Sequence, residues 1–245
     1  MNKIITLIFL IFLSSSPSFG AHPLITDDSG TVGAGKFQLE LNGEYSKDGT
    51  NSTTEIAATV TGGIKDKLDI VFSAPYQFLR SRDESDNKTT EDGISDIAVE
   101  LKWRLYEKEE FGLALKPGIT FPSGDDDKGL GDGKPSYGLV FITTKEIDPV
   151  TLHMNIGFTK NRKELRDIWH YSLATEYEIR KNLLFVANIG VETNPEKESN
   201  THPVFLLGGF IYSLNDNFDI DLGIKAGLNK AEPDYTVLAG LAIKL

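Results

Sequence analysis

Acidic and basic side chains recur at every second position through much of this sequence, and that spacing limits what they can do. Glu40 and Glu44 share one parity in KFQLELNGEY, Glu100, Lys102 and Arg104 share one in DIAVELKWRLY, and Asp219, Asp221 and Lys225 share one in FDIDLGIKAGL. Glu55, Asp69, Asp96, Lys116, Glu176, Glu178 and Glu192 hold matching positions elsewhere, as do His153 and His170. In an extended chain, residues two apart point to the same side, so these groups would form one charged surface. Lining a passage, such a surface sorts small solutes by charge. Lining a filled interior, it braces the wall through ion pairs. The spacing fits both.

Other chemistries fit less well. A serine hydrolase needs a base within hydrogen-bond reach of its nucleophile. His153 and His170 have Asn155 and Ser172 beside them, but all fall on the charged parity and no Gly-x-Ser-x-Gly motif occurs. Polar lining is the reading adopted, no catalytic residue is expected, and an outer-membrane lipid hydrolase is kept as the remote alternative. The acidic run at 124–134, GDDDKGLGDGK, lacks the alternate-position ligands and closing Glu of an EF-hand. It is expected to be a solvated loop, with divalent-ion contacts to lipopolysaccharide as its alternative. No metal and no cofactor is expected. With 36 Asp and Glu against 25 Lys and Arg, a net charge of −11 argues against nucleic acid as a partner. There is no cysteine, so stability cannot come from disulfides.

The elements that would position these groups are strands. Opposite each charged parity lies an apolar one: Phe37, Leu39, Leu41 and Tyr45; Leu68, Ile70, Phe72, Tyr76 and Phe78; Val99, Leu101, Trp103 and Leu105; Leu152, Met154, Ile156 and Phe158. EIAATVTGGI, YGLVFITTK and PVFLLGGFIY are nearly apolar on both parities. Counting them, the pattern predicts an all-β fold, a transmembrane antiparallel up-and-down β-barrel of about twelve strands. Short connections at 65–67, 107–110, 146–149, 180–182 and 215–217 take turns with longer ones at 46–52, 81–92, 122–134, 160–167, 194–202 and 229–234. Bacterial outer-membrane barrels alternate in this way between tight periplasmic turns and longer external loops. A soluble sandwich has no reason to do so.

The start, MNKIITLIFLIFLSSSPSFG, has Lys3, an apolar run from Ile4 to Leu13 and small residues before Ala21. It reads as a signal peptide over 1–20, cleaved near Gly20–Ala21. Residues 21–36 are expected to be an irregular periplasmic segment that folds back toward the barrel mouth, and 37–245 the barrel in the bacterial outer membrane. The expected partners are outer-membrane lipids and lipopolysaccharide, the barrel-assembly machinery and a small-molecule solute.

Because strict alternation allows only two faces, an apolar face toward lipid puts the charged residues named above in the lumen. Glycines such as Gly63, Gly112, Gly208, Gly223 and Gly240 fall on that side as well. Leu184, Val186, Leu206 and Phe210 are also assigned inward, forming an apolar strip for a solute or for the Leu24–Ile25 segment.

The blocks AHPLITDDSGTVGAGKFQLEL, DGISDIAVELKWRLY and LALKPGITFPSGD, the last followed by Gly129, Gly131 and Gly133, resemble the family described as Putative MetA-pathway of phenol degradation. The likeness spans nearly all of the sequence after residue 20. It implies an outer-membrane transporter-like barrel and uptake of aromatic or other hydrophobic compounds. The expectation is a channel or transporter for small molecules that diffuse through a charged lumen. A closed structural or surface barrel without transport is the alternative.

Overall fold

A computed structural model describes residues 22–82, 87–161 and 165–245. The signal-peptide expectation lies outside the described residues. The strands are β1 (Phe37–Asp48), β2 (Asn51–Lys65), β3 (Leu68–Arg82), β4 (Lys88–Ile94), β5 (Ile97–Lys108), β6 (Phe111–Phe121), β7 (Ser136–Ile147), β8 (Val150–Lys160), β9 (Ile168–Arg180), β10 (Leu183–Glu192), β11 (Val204–Asn215), β12 (Phe218–Gly227) and β13 (Tyr235–Lys244). Each pairs antiparallel with its neighbours, and β1 pairs with both β2 and β13. β4 and β5 lie end to end along β3, interrupted at Ser95–Asp96. Thirteen segments therefore build a closed barrel of twelve staves. Phe37 and Leu245 exchange backbone hydrogen bonds of 3.0 and 2.8 Å where the two ends of the ring meet.

Closure satisfies every ladder without leaving an edge, which is what a sheet must do inside hydrocarbon. The outer face carries the apolar parity: Leu39, Leu41, Ile70, Phe72, Leu101, Trp103, Leu152, Leu173, Leu222 and Ile224 are all exposed. Aromatic pairs punctuate it, with Phe158 against Trp169 at 4.9 Å and Tyr76 against Phe78 at 5.1 Å. This is the lipid-facing belt of an outer-membrane-type barrel. No helix among the described residues is long and apolar enough to cross a membrane.

Two of the predicted long connections are shorter than expected. β1 and β2 stay paired up to a two-residue turn at Gly49–Thr50, and β3 and β4 remain paired to Arg82 and Lys88. Thr- and Ser-rich chain forms ladders readily whether or not one face is apolar, so the hairpins extend beyond the belt. The other external loops, between β6 and β7, β8 and β9, β10 and β11, and β12 and β13, are long as expected.

The register of β11 differs from the sequence expectation by one residue. Phe210 and Leu206 face outward, 49% and 50% exposed, and the Phe210 ring lies 5.5 Å from Phe185 on the lipid side. Phe205, Leu207 and Ile211 take the interior instead. The physical reason is pairing. Gly209 lies opposite Gly223, and directly opposed residues share a face, so Gly209 rather than Gly208 turns inward.

Candidate functional site: a strap across the barrel interior

Residues 22–36 contain no strand or helix, yet they are fastened inside the barrel. The strap starts where Lys36 meets Phe37 at the short-turn end. Gly33 and Gly35 adopt φ of 89° and 74°, a left-handed turn that side chains resist, and turn the chain inward. Gly35 N–H donates to Gly63 O at 2.9 Å, and Thr31 donates through its hydroxyl to Asp66 O at 2.8 Å. Deeper in, the Val32 amide donates to Asp69 at 2.9 Å and the Ser29 amide to Thr144 Oγ1 at 2.9 Å. Asn188 Oδ1 accepts from the amides of Ile25 and Thr26, at 2.8 and 3.0 Å, while its Nδ2 donates to the Thr26 hydroxyl at 2.7 Å. His22 Nδ1 ends the strap 2.6 Å from Asp221 Oδ1.

The strap crosses from the β12 wall to the β3 wall, and the barrel makes room for it with glycine. A methyl on Gly223 would come 2.8 Å from Pro23, and one on Gly240 would come 2.7 Å from His22. A methyl on Gly63 would collide with the Gly33 carbonyl. Leu24 packs against the buried cluster of Phe205, Leu207 and Leu238. Ile25 is exposed and does not join it. The interior apolar strip therefore meets the strap through Leu24 and through residues of β11 and β13 other than those assigned from sequence.

The strongest fastening is ionic. Lys102 Nζ of β5 lies 2.9 Å from Asp27 Oδ1 and 3.4 Å from Asp28 Oδ2. Lys116 Nζ of β6 lies 3.0 Å from Asp27 Oδ2 and 3.3 Å from Glu100. Burial alone would push the Asp27 carboxyl up, but the two ammonium groups beside it hold it well below the usual carboxylate range.

The family model for Putative MetA-pathway of phenol degradation matches residues 22–245. The chain belongs to this family. Among curated proteins, no sequence relative matches. Solved structures of the same fold include the NanC porin, with TM-score 0.59 and 11% identity, covering 84% of this chain and 100% of that one. The KdgM porin in complex with disordered oligogalacturonate matches with TM-score 0.58 and 7% identity, covering 84% and 98%. The translocator domain of the autotransporter NalP from Neisseria meningitidis matches with TM-score 0.51 and 10% identity, covering 86% and 88%. At these identities the likeness is one of fold, that of porin-like outer-membrane barrels.

In this family member the charged residues named from sequence fall into three groups. Asp69, Lys102, Lys116, Asp221 and, through Lys116, Glu100 hold the strap. A second group pairs along the wall: Glu55 with Gln77 at 2.6 Å, Asp219 with Lys244 at 2.8 Å, and His153 with Glu176 at 3.5 Å. Lys225 lies 2.6 Å from Glu232 and over the Phe205 ring. Glu40 and Glu44 occupy the inward parity of β1, half-buried. The third group sits at the rims. Arg104 bonds Glu107 and Asp66 O at the short-turn end, where Glu178 is exposed. Asp96 is drawn to the opposite end, where its carboxylate accepts from the amides of Gly124 and Asp132 at 2.9 and 2.8 Å. It clamps the acidic 124–134 loop, whose Leu130 is buried. No cluster fit to hold a metal ion occurs among the described residues.

His170 is better connected than its sequence context shows. Its Nδ1 lies 2.8 Å from Glu192 and its Nε2 lies 2.9 Å from Ser172 Oγ. The order hydroxyl, imidazole, carboxylate matches that of an activated serine. Two parts of such a site do not accompany it. Ser172 is only 4% exposed, and β9 is paired on both sides here, which commits its amides to the ladder rather than to an oxyanion.

Proposed function

We propose that the chain is an outer-membrane channel for small molecules, whose solutes travel along the charged interior face and whose bore is narrowed by the strap and the 124–134 loop. One observation carries the reading: a closed ring that is apolar all round outside holds polar and charged groups inside, a poor way to fill a core but a workable way to line a water path. The porin fold of its structural neighbours supports it, and one of these, KdgM, is described with a bound oligogalacturonate. The family description supports aromatic or other hydrophobic compounds as the solutes, and the Phe205–Leu207–Leu238 cluster offers an apolar contact beside the charges. Purified full chain in a planar bilayer is expected to give stepwise currents, and loss of the gene is expected to slow growth on aromatic compounds more than on small polar nutrients.

A second reading, a closed scaffold, is favoured by the strap itself, which runs across the interior from Asp221 of β12 to Asp69 of β3. Silence at every voltage, both for the native chain and for a variant with its strap dislodged, would select the scaffold and discard the channel.

A further inference from the structure

We propose that Lys102 and Lys116 form a binding subsite for the carboxylate of an amphipathic solute, and that Asp27 of the strap occupies this subsite as a built-in mimic of that solute. The inference rests on the channel reading, because the solute must reach the site through the lumen.

Two ammonium groups from adjacent strands converge on one carboxylate, one on each oxygen, at 2.9 and 3.0 Å. Their side chains are only 8% and 18% exposed. Two like charges withdrawn from water side by side are costly unless an anion lies between them, so this part of the wall is built around an anion. That anion does not belong to the wall. It rides on a segment outside the strand ladder, held by separate hydrogen bonds.

The strap also carries a second half of the mimic. Leu24 packs against the apolar cluster of Phe205, Leu207 and Leu238, three residues before Asp27. Three residues of extended chain reach about 10 Å. A solute with a carboxylate head and an apolar body of that length would satisfy both patches. Departure of the strap removes Asp27 and Asp28 together and leaves Lys116 beside Glu100 and Lys102 across the strand pairing from Asp69, with no carboxylate between the two ammonium groups. The place between the two ammonium groups, filled by Asp27 on each oxygen in the strapped state, then favours a carboxylate over an uncharged analogue.

Octanoate and octanamide are suitable probes, alike in length and different in charge. The native chain contains no cysteine, so Thr26→Cys, at a fully buried strap position, reports strap release through its rate of modification by a water-soluble maleimide. With the full chain in lipid nanodiscs, octanoate is expected to speed modification about tenfold by mass action, and octanamide to leave it unchanged. Asp27→Asn removes the resident anion and is expected to tighten octanoate binding about tenfold in calorimetry, while adding Lys116→Gln abolishes that gain. Equal effects of the two probes, or equal octanoate affinity in native and Asp27→Asn chains, would overturn the subsite. Currents in potassium chloride test the channel separately. A conducting chain indifferent to octanoate loses only the subsite, whereas a silent chain that binds octanoate loses the channel.

Discussion

A carboxylate set between Lys102 and Lys116 stays ionised below the pH at which ordinary aspartates take up protons. Because the Asp27 pKa is depressed in the folded protein, its contribution to seating the strap is fully present above the ordinary value of 3.8 and is lost only as pH falls through the lowered value. The ratio of maleimide modification rates of Thr26→Cys with Asp27 and with Asp27→Asn should therefore be flat from pH 7 to about pH 4, because Asp27 stays ionised throughout that range. Asp27→Ala leaves two buried ammonium groups short of a partner, at a cost of about 3 kcal/mol, the low end for a broken buried pair because Asp28 and Glu100 remain beside them. Cleavage of the strap by added protease should then quicken by roughly 100-fold. Sequence shows the two lysines and their parity but not this use of them. Residues 22–36 have no periodicity from which a partner could be inferred. The visible hint was indirect: glycines at inward positions, with nothing in the sequence to say what pressed on them.

Strands and strap obey different rules. Along β12, Leu222 sits mid-strand on the outer face, so Leu222→Arg should cost about 2–4 kcal/mol in lipid, read from urea unfolding in vesicles. The inward neighbour Gly223 touches Pro23 instead. Gly223→Val should leave the ring folded, dislodge the start of the strap and raise single-channel conductance. The contrast also shows what alternation could reveal. Where one parity is polar, as in β1, β5 and β12, the faces were legible from sequence. PVFLLGGFIY is apolar on both parities, so its register is set by partners, above all by Gly209 opposite Gly223. That pairing was within reach of the sequence, because Gly223 already carried an inward assignment. The link from Glu192 to His170 also depends on pairing, with the two residues directly opposed across β9 and β10.

At the scale of the whole barrel, inward carboxylates outnumber inward ammonium and guanidinium groups: Glu40, Glu44, Glu55, Asp69, Glu100, Glu176, Glu192, Asp219 and Asp221 stand against Lys102, Arg104, Lys116, Lys225 and Lys244. On the channel reading proposed above, an acidic interior concentrates cations. Reversal potentials under a potassium chloride gradient should show preference for potassium, and Lys102→Gln with Lys116→Gln should strengthen it. The fold class and the parity of most strands were legible because an apolar face outside and a polar face inside impose one simple pattern, whereas the alternation of connections fails at the two-residue turn between β1 and β2. A fold-back of residues 21–36 is expected from sequence, but the strap's partners in the wall and the Asp96 clamp were not legible, because both depend on contacts between segments far apart in sequence.

The hydrogen bonds exchanged between Phe37 and Leu245 have one more consequence. Every stave is gripped from both sides, so no single covalent connection holds the wall together. A peptide bond cut in the 228–234 connection between β12 and β13 should leave two fragments that still migrate as one species in mild detergent and separate only on boiling. A cylinder of this kind can be nicked without coming undone.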